Sequence, residues 1–221
     1  MSLWDTRDQA LASLQSSLQQ EAEAIEVCFT LVDECIEEFE ATDSPFARVC
    51  GLTLVKARNL ALGIYSLMLD GLGQEAGALL RPMIEALELL VYVRLEPGGV
   101  EQAIEDKLPR AGAIAKTIEG EFKALRKHLN EHASHFGFTD ESLMHVIDFG
   151  DFAWKTSQPH SEAVLRTNLG TLFLFQIQLA IESANCVSLV RTGVIHEFAE
   201  RVESHRDKGL ALFFGDREPQ V

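Results

Sequence analysis

Three histidines lie within the eight-residue segment HLNEHASH, at positions 128, 132 and 135. On a helix, His128, His132 and His135 share one face, at spacings of four and three residues. His128 and His132 have the spacing of paired histidine ligands in helical zinc sites, so the segment is a candidate site for a divalent metal. His135 lies roughly 10 Å from His128 along the axis, too far for all three to share one ion. Further ligands would come from other segments, with three candidates: Glu85, Glu88 and His145.

Other roles remain open for the same segment. Imidazolium is favoured near a helix C-terminus by the helix dipole, so these histidines can be structural. They can also act in acid–base chemistry or anion binding. A helical ribonuclease of the HEPN type uses an arginine separated from a histidine by four to six residues. Two pairs in the chain have that separation, about the number that chance gives: Arg126 with His132 and Arg191 with His196.

A polar stripe runs along an otherwise apolar segment, GQEAGALLRPMIEALELLVYVRLE. Arg81, Glu85 and Glu88 recur at i, i+4 and i+7, one face of a helix. A charge removed from water costs several kcal/mol unless it is paired, so we expect Arg81 in the interior, bound to Glu85 or to a neighbouring helix. Candidate partners are Lys56, Arg58 and Asn59. The alternative is a narrow stripe that reaches solvent and pairs at the surface.

The whole composition restricts the class of protein. The 221 residues carry a formal net charge of −15, which repels phosphate backbones and disfavours nucleic acid as a partner. The N-terminus is acidic and polar where an export signal needs a basic start and an apolar run, so we expect a cytoplasmic protein. The longest uncharged run, residues 167–181, predicts a buried core helix and no membrane span. The four cysteines form no CxxC pair, as expected of buried thiols.

The hydrophobic periodicity is helical along most of the chain. It predicts an all-α fold, a single up-and-down-like bundle of five to seven helices spanning residues 1–221. Apolar residues at heptad spacing predict one long helix over residues 5–40, which could zip against a second copy in a homo-oligomer. DSP at 43–45 predicts the start of a second helix, and a third ends before PGG at 97–99. Further helices are expected up to residue 136 and after residue 159, with irregular structure at 138–159 and a solvated tail at 216–221.

One stretch resembles a known family. AGALLRPMIEALELLVYV is similar to the signature helix of a widespread bacterial family of domains of unknown function. In that helix a small residue and two leucines precede an arginine, and a glutamate follows four residues later. The downstream LNEHASHF is also similar to the family. The resemblance implies a helical fold and no established reaction, with Arg81, Glu85 and His132 or His135 at the matching positions.

The sequence therefore favours an interaction or small-ligand-binding module. Its candidate ligand-binding residues are Arg81, Glu85, Glu88, His132 and His135. The alternative is an enzyme, a metal-dependent hydrolase or HEPN-like ribonuclease, that uses the histidine segment. The identity of the ligand or cofactor is not readable from the sequence.

Overall fold

The computed structural model describes residues 4–133, 139–155, 158–191 and 195–215, except the side chains at positions 130, 132, 141, 142 and 195. The fold is all-α, as predicted, with one two-stranded hairpin among the described residues. The elements are α1 (Asp5–Leu14), α2 (Gln19–Glu40), α3 (Pro45–Leu69), α4 (Gly73–Leu95), α5 (Gly99–Ile104), α6 (Ala111–Thr117), α7 (Lys123–His132), α8 (Asp140–Leu143), β1 (Ile147–Asp148), β2 (Ala153–Trp154), α9 (Glu162–Val190) and α10 (Ile195–Phe214).

Helix α9 lies at the centre of the bundle. Helices α2, α3, α4 and α10 all pack against it. Leu169, Leu172, Phe173 and Leu179 of α9 are completely buried, as expected for a helix that is apolar on most sides. Five long helices therefore share one core, and the smaller elements α5 to α8 lie between α4 and α9 in the chain.

The predicted long first helix is wrong at one place. The chain leaves the helix at residues 15–18, where the Leu18 amide donates to the Ser13 carbonyl at 2.8 Å. Serine side chains compete for backbone partners there, because the Ser16 hydroxyl donates to the Ala12 carbonyl at 2.7 Å. The Ser17 hydroxyl donates to Glu162 at the start of α9, 2.6 Å away. The turn lets both α1 and α2 lie against the bundle.

Most of the apolar residues at heptad spacing in α1 and α2, which we call the heptad seam, pack into the core of the same chain. Leu14, Leu18, Ile25, Cys28, Val32, Cys35 and Phe39 are all buried in the core. Glu21 is a charged residue within this apolar pattern, and it accepts a hydrogen bond from Arg166 of α9 at 2.8 Å. A homo-oligomer through helix one stays a prediction, and most of the seam that suggested it already packs within the fold.

Several other boundaries follow from local chemistry. Ser44 caps α3, because its hydroxyl accepts from the Ala47 amide at 3.0 Å and Pro45 occupies the first turn, as predicted. Helix α4 continues through Pro82 without a break. After Pro97 the chain breaks at residues 105–110, as Pro109 predicts, and again at residues 118–122, where no break is predicted. The predicted end of a helix at residue 136 and the predicted tail at 216–221 lie outside the described residues.

Among the described residues, two helices are long and apolar enough to cross a membrane, α3 and α9, with mean hydropathies of 1.2 and 1.4. In α9, 61% of the apolar window is buried inside the fold. The corresponding share of α3 is 33%. The uncharged run at 167–181 is thus part of the core helix that the sequence predicts.

Candidate functional site

The polar stripe of α4 is divided between solvent and interior. Arg81 donates to Glu85 at 3.2 Å, but their side chains are 38% and 32% exposed. The prediction that Arg81 lies in the interior is therefore wrong. The short helix α7 covers this face of α4 only in part. Its Leu129 and Ala133 lie against Gly77, one turn before Arg81.

Glu88 is the member of the stripe that the fold buries. Its side chain is only 3% exposed, and its Oε2 accepts a hydrogen bond from Arg126 Nη1 of α7 at 2.8 Å. Arg126 is itself 15% exposed. Each charge of this buried ion pair has lost most of its hydration. The pair is therefore stable only while its hydrogen-bond geometry is good.

The second carboxylate oxygen of Glu88 has no hydrogen-bond donor among the described residues. Oε1 is buried and lies against the turn that joins α6 to α7. A Cβ added to Gly120 would lie 2.8 Å from Oε1, so this close approach requires glycine. The Gly120 amide does not bind Oε1 and instead donates to the Ala115 carbonyl at 2.8 Å. Burial raises the pKa of Glu88, nearby Arg126 opposes the rise, and Glu85 adds to it.

The turn beside Glu88 is fixed from both sides. Glu119 adopts a positive φ of 54° directly after the last turn of α6, a conformation that ends a helix. Phe122 packs on Phe175 of α9, with ring centroids 5.5 Å apart. The turn is thereby held between α4 and α9.

A second buried glutamate stands on α9. Glu182 is 10% exposed and accepts a bidentate ion pair from Arg94 at the end of α4, with 3.1 Å between Nη2 and Oε2. Asn185 also donates to it at 3.3 Å. Local spacing does not reveal this pair, because its partners lie 88 positions apart, although Glu182 directly follows the longest uncharged run.

These groups border one cavity of about 320 Å³, which we call the α4–α9 cleft. Its walls are partly apolar, formed by Leu87, Val91, Ile118, Phe122 and Ile181. Its polar groups are Glu88, Glu119, Glu121, Gln178 and Glu182, so none of its lining residues is basic. A concave site with apolar walls and a few convergent polar groups has the general character of a small-molecule site.

The histidine segment is only partly described. His128 is exposed on α7, and His132 is the last residue of that helix. The His132 side chain and the whole of His135 lie outside the described residues, so their predicted roles stay predictions. His145 lies near Glu75, with 3.8 Å between Nε2 and Oε1. Within the ranges that the structure describes, no three metal-ligating side chains form a group that could hold an ion.

The two arginines of the ribonuclease hypothesis are both ion-paired. Arg126 binds Glu88, and Arg191 lies 3.1 Å from Glu38. His196 is almost fully exposed and lies 3.4 Å from Glu200. Of the suggested partners of Arg81 on α3, Arg58 instead forms a bidentate pair with Asp33 of α2.

Comparison with known proteins supplies no relative. No protein-family model matches the chain, and neither a curated protein nor a solved structure matches it. The resemblance of the α4 helix to a bacterial family thus stays an interpretation of that one segment. The geometry of the cleft carries the functional argument.

Proposed function

We propose that the protein is a small-ligand-binding module and that its site is the α4–α9 cleft. One observation carries the proposal: Glu88 presents a buried carboxylate oxygen that no described group of the chain hydrogen-bonds. Leaving such an acceptor unsatisfied costs about 1–3 kcal/mol, and more when the group is charged. A bound ligand that donates to Oε1 would remove this cost.

The surroundings of Oε1 suit a ligand better than a purely structural role. Arg126 needs only one oxygen of Glu88, and the bidentate pair of Glu182 with Arg94 shows how a buried glutamate in this fold is fully satisfied. The Gly120 turn covers Oε1, so a ligand that binds this oxygen must displace the turn from its contacts with Glu88 and with Phe175. We expect this module in the cytoplasm, where the four buried cysteines stay reduced.

The proposal is tested by filling the cleft. A mixed set of neutral, cationic and anionic small molecules is screened for thermal stabilisation of the wild-type protein. Ile181→Trp enlarges a half-buried side chain on the wall of the cleft. Leu189→Trp is the matched control, because Leu189 is 61% exposed on the same helix and does not line the cleft.

Molecules that stabilise the wild type should lose their effect in Ile181→Trp and keep it in Leu189→Trp. Circular dichroism must show that both variants are folded. If no molecule stabilises the wild type, or if stabilisation survives in Ile181→Trp, the cleft is not the site.

A further inference from the structure

The charges and walls of the α4–α9 cleft restrict the chemistry of its occupant. We infer that the ligand is a small organic cation, an ammonium group on an apolar body, with the ammonium donating to Oε1 of Glu88. This inference rests on the proposed function, since it names the ligand class of the same site.

The charge around the cleft is negative. Four carboxylates line it, those of Glu88, Glu119, Glu121 and Glu182, and none of its lining residues is basic. Two guanidiniums lie beside these groups: Arg126 binds Glu88, and Arg94 binds Glu182. The carboxylates of Glu119 and Glu121 remain at the exposed rim, where they attract a cation.

The unsatisfied oxygen of Glu88 favours a ligand with a hydrogen-bond donor. Glu182 uses both oxygens for Arg94, whereas Oε1 of Glu88, buried beneath the Gly120 turn, accepts no hydrogen bond from the described residues. An ionised carboxylate only accepts hydrogen bonds, so a second carboxylate or a phosphate would be repelled there. A bond from an ammonium to a carboxylate is roughly twice as strong as one between neutral groups. A cation therefore gains more at Oε1 than a neutral alcohol does.

The apolar walls select the rest of the ligand. Leu87, Val91, Ile118 and Ile181 offer aliphatic surface, and Phe122 offers an aromatic ring. A fully hydrated ion such as sodium would leave this surface uncovered. An amine with a hydrocarbon or aromatic body covers the walls while its head group meets Glu88.

Three probes with one body and different head groups test the inference. They are 2-phenylethylamine, 2-phenylethanol and 3-phenylpropanoate, which carry an ammonium, a hydroxyl and a carboxylate. Binding of each is measured by calorimetry to the full-length wild type, Glu88→Gln and Glu85→Gln. Glu88→Gln removes the charge and keeps the shape, and the amide oxygen can still accept from Arg126. Glu85→Gln is the control, because Glu85 lies one turn away outside the cleft.

The amine should bind about tenfold or more tightly than the alcohol, and the carboxylate should not bind. Glu88→Gln should weaken the amine about tenfold or more and leave the alcohol nearly unchanged, while Glu85→Gln has little effect. Salt gives a second readout that needs no variant. Raising it from about 0.05 M to about 0.5 M should weaken the amine more than the alcohol.

The failures of the two proposals are distinguishable. If the alcohol or the carboxylate binds as tightly as the amine, or if Glu88→Gln leaves amine binding intact, the ligand class is wrong. The same holds if all three probes fail while other molecules bind in a manner that Ile181→Trp blocks. In each of these cases the cleft stays a ligand site if Ile181→Trp abolishes the binding, and it is excluded if the binding survives in that variant. If nothing binds at the cleft, both proposals fall.

Discussion

At the scale of single residues, Arg126 and Arg81 lie on adjoining helices in different surroundings. Arg126 neutralises a buried carboxylate, whereas Arg81 pairs with Glu85 where both meet solvent. Arg126→Ala leaves Glu88 as an uncompensated buried charge and should lower the free energy of unfolding by about 3 kcal/mol or more. Urea denaturation at neutral pH measures this loss.

Arg81→Ala is the matched comparison. The Arg81–Glu85 pair is a half-exposed i, i+4 pair, and pairs that reach solvent contribute at most about 1 kcal/mol. The same denaturation experiment should therefore show a much smaller loss than in Arg126→Ala. Equal losses in the two variants would contradict the division of the stripe between solvent and interior.

The raised pKa of Glu88 predicts a specific dependence of stability on pH. A carboxyl whose pKa is higher in the folded protein binds its proton more tightly there, so its contribution is most favourable at low pH. That contribution falls as pH rises from the ordinary value of 4.5 through the folded pKa. Glu88→Gln removes the effect, so the variant should gain on the wild type as pH rises through this window. Parallel stability curves in urea denaturation across pH would show that Glu88 does not titrate this way.

A substitution at Gln176 of α9 is expected to stabilise the protein. Its side chain is completely buried, and neither amide atom has a hydrogen-bond partner in the described part of the chain. Gln176→Met keeps the length of the side chain and removes the unsatisfied groups, so the free energy of unfolding should rise by about 1–3 kcal/mol. Gln178→Met, at an exposed position two residues later, should change it by less than about 0.5 kcal/mol. A loss of stability in Gln176→Met would indicate that an internal water satisfies the amide.

The sequence predicts the polar stripe but not which of its residues is buried. Arg81, Glu85 and Glu88 share one face of α4, and periodicity alone does not say how far a covering helix extends. The burial of Glu88 depends on α7 and on the turn at Gly120, which are more than 30 positions away in the chain. The Arg94–Glu182 pair joins two helices in the same way, so local spacing gives no signal for it.

At the scale of helices, substitution by alanine at two glycine positions should change the stability of the protein in opposite directions. A Cβ on Gly209 of α10 would overlap the ring of Phe173, which is completely buried. Gly209→Ala should therefore lose about 1–3 kcal/mol of stability or more through overpacking, despite the better helix propensity of alanine. Gly112→Ala in α6 meets nothing described within 4 Å and should gain about 0.5–1 kcal/mol. Thermal or urea denaturation compares the two, and a stable Gly209→Ala would contradict the close packing of α10 on α9.

Helix boundaries were predictable where the backbone chemistry is local. Ser44 and Pro45 mark the start of α3, and the structure confirms both. The break between α1 and α2 was not predictable from the heptad pattern, because Leu14 and Leu18 keep the apolar spacing through it. The serines at 13, 16 and 17 mark the break, because their hydroxyls hydrogen-bond the His160 side chain, the Ala12 carbonyl and Glu162 of α9.

For the whole molecule, the net charge of −15 predicts weak interaction with nucleic acids. Fluorescently labelled RNA and DNA should show no binding in anisotropy measurements at about 0.15 M salt. Incubation with RNA without added metal should likewise leave it intact. RNA cleavage that is lost in His132→Ala would support the ribonuclease alternative instead.

The position of α9 in the chain has a consequence for biosynthesis. Helices α2, α3 and α4 bury apolar faces against a helix that begins only at Glu162. At ~5–20 residues per second, the ribosome needs several seconds to half a minute to pass from the start of α2 to the start of α9. During that time the emerging chain exposes the apolar faces of these helices, because their central partner has not yet been made. Chaperones recognise apolar surface of this kind.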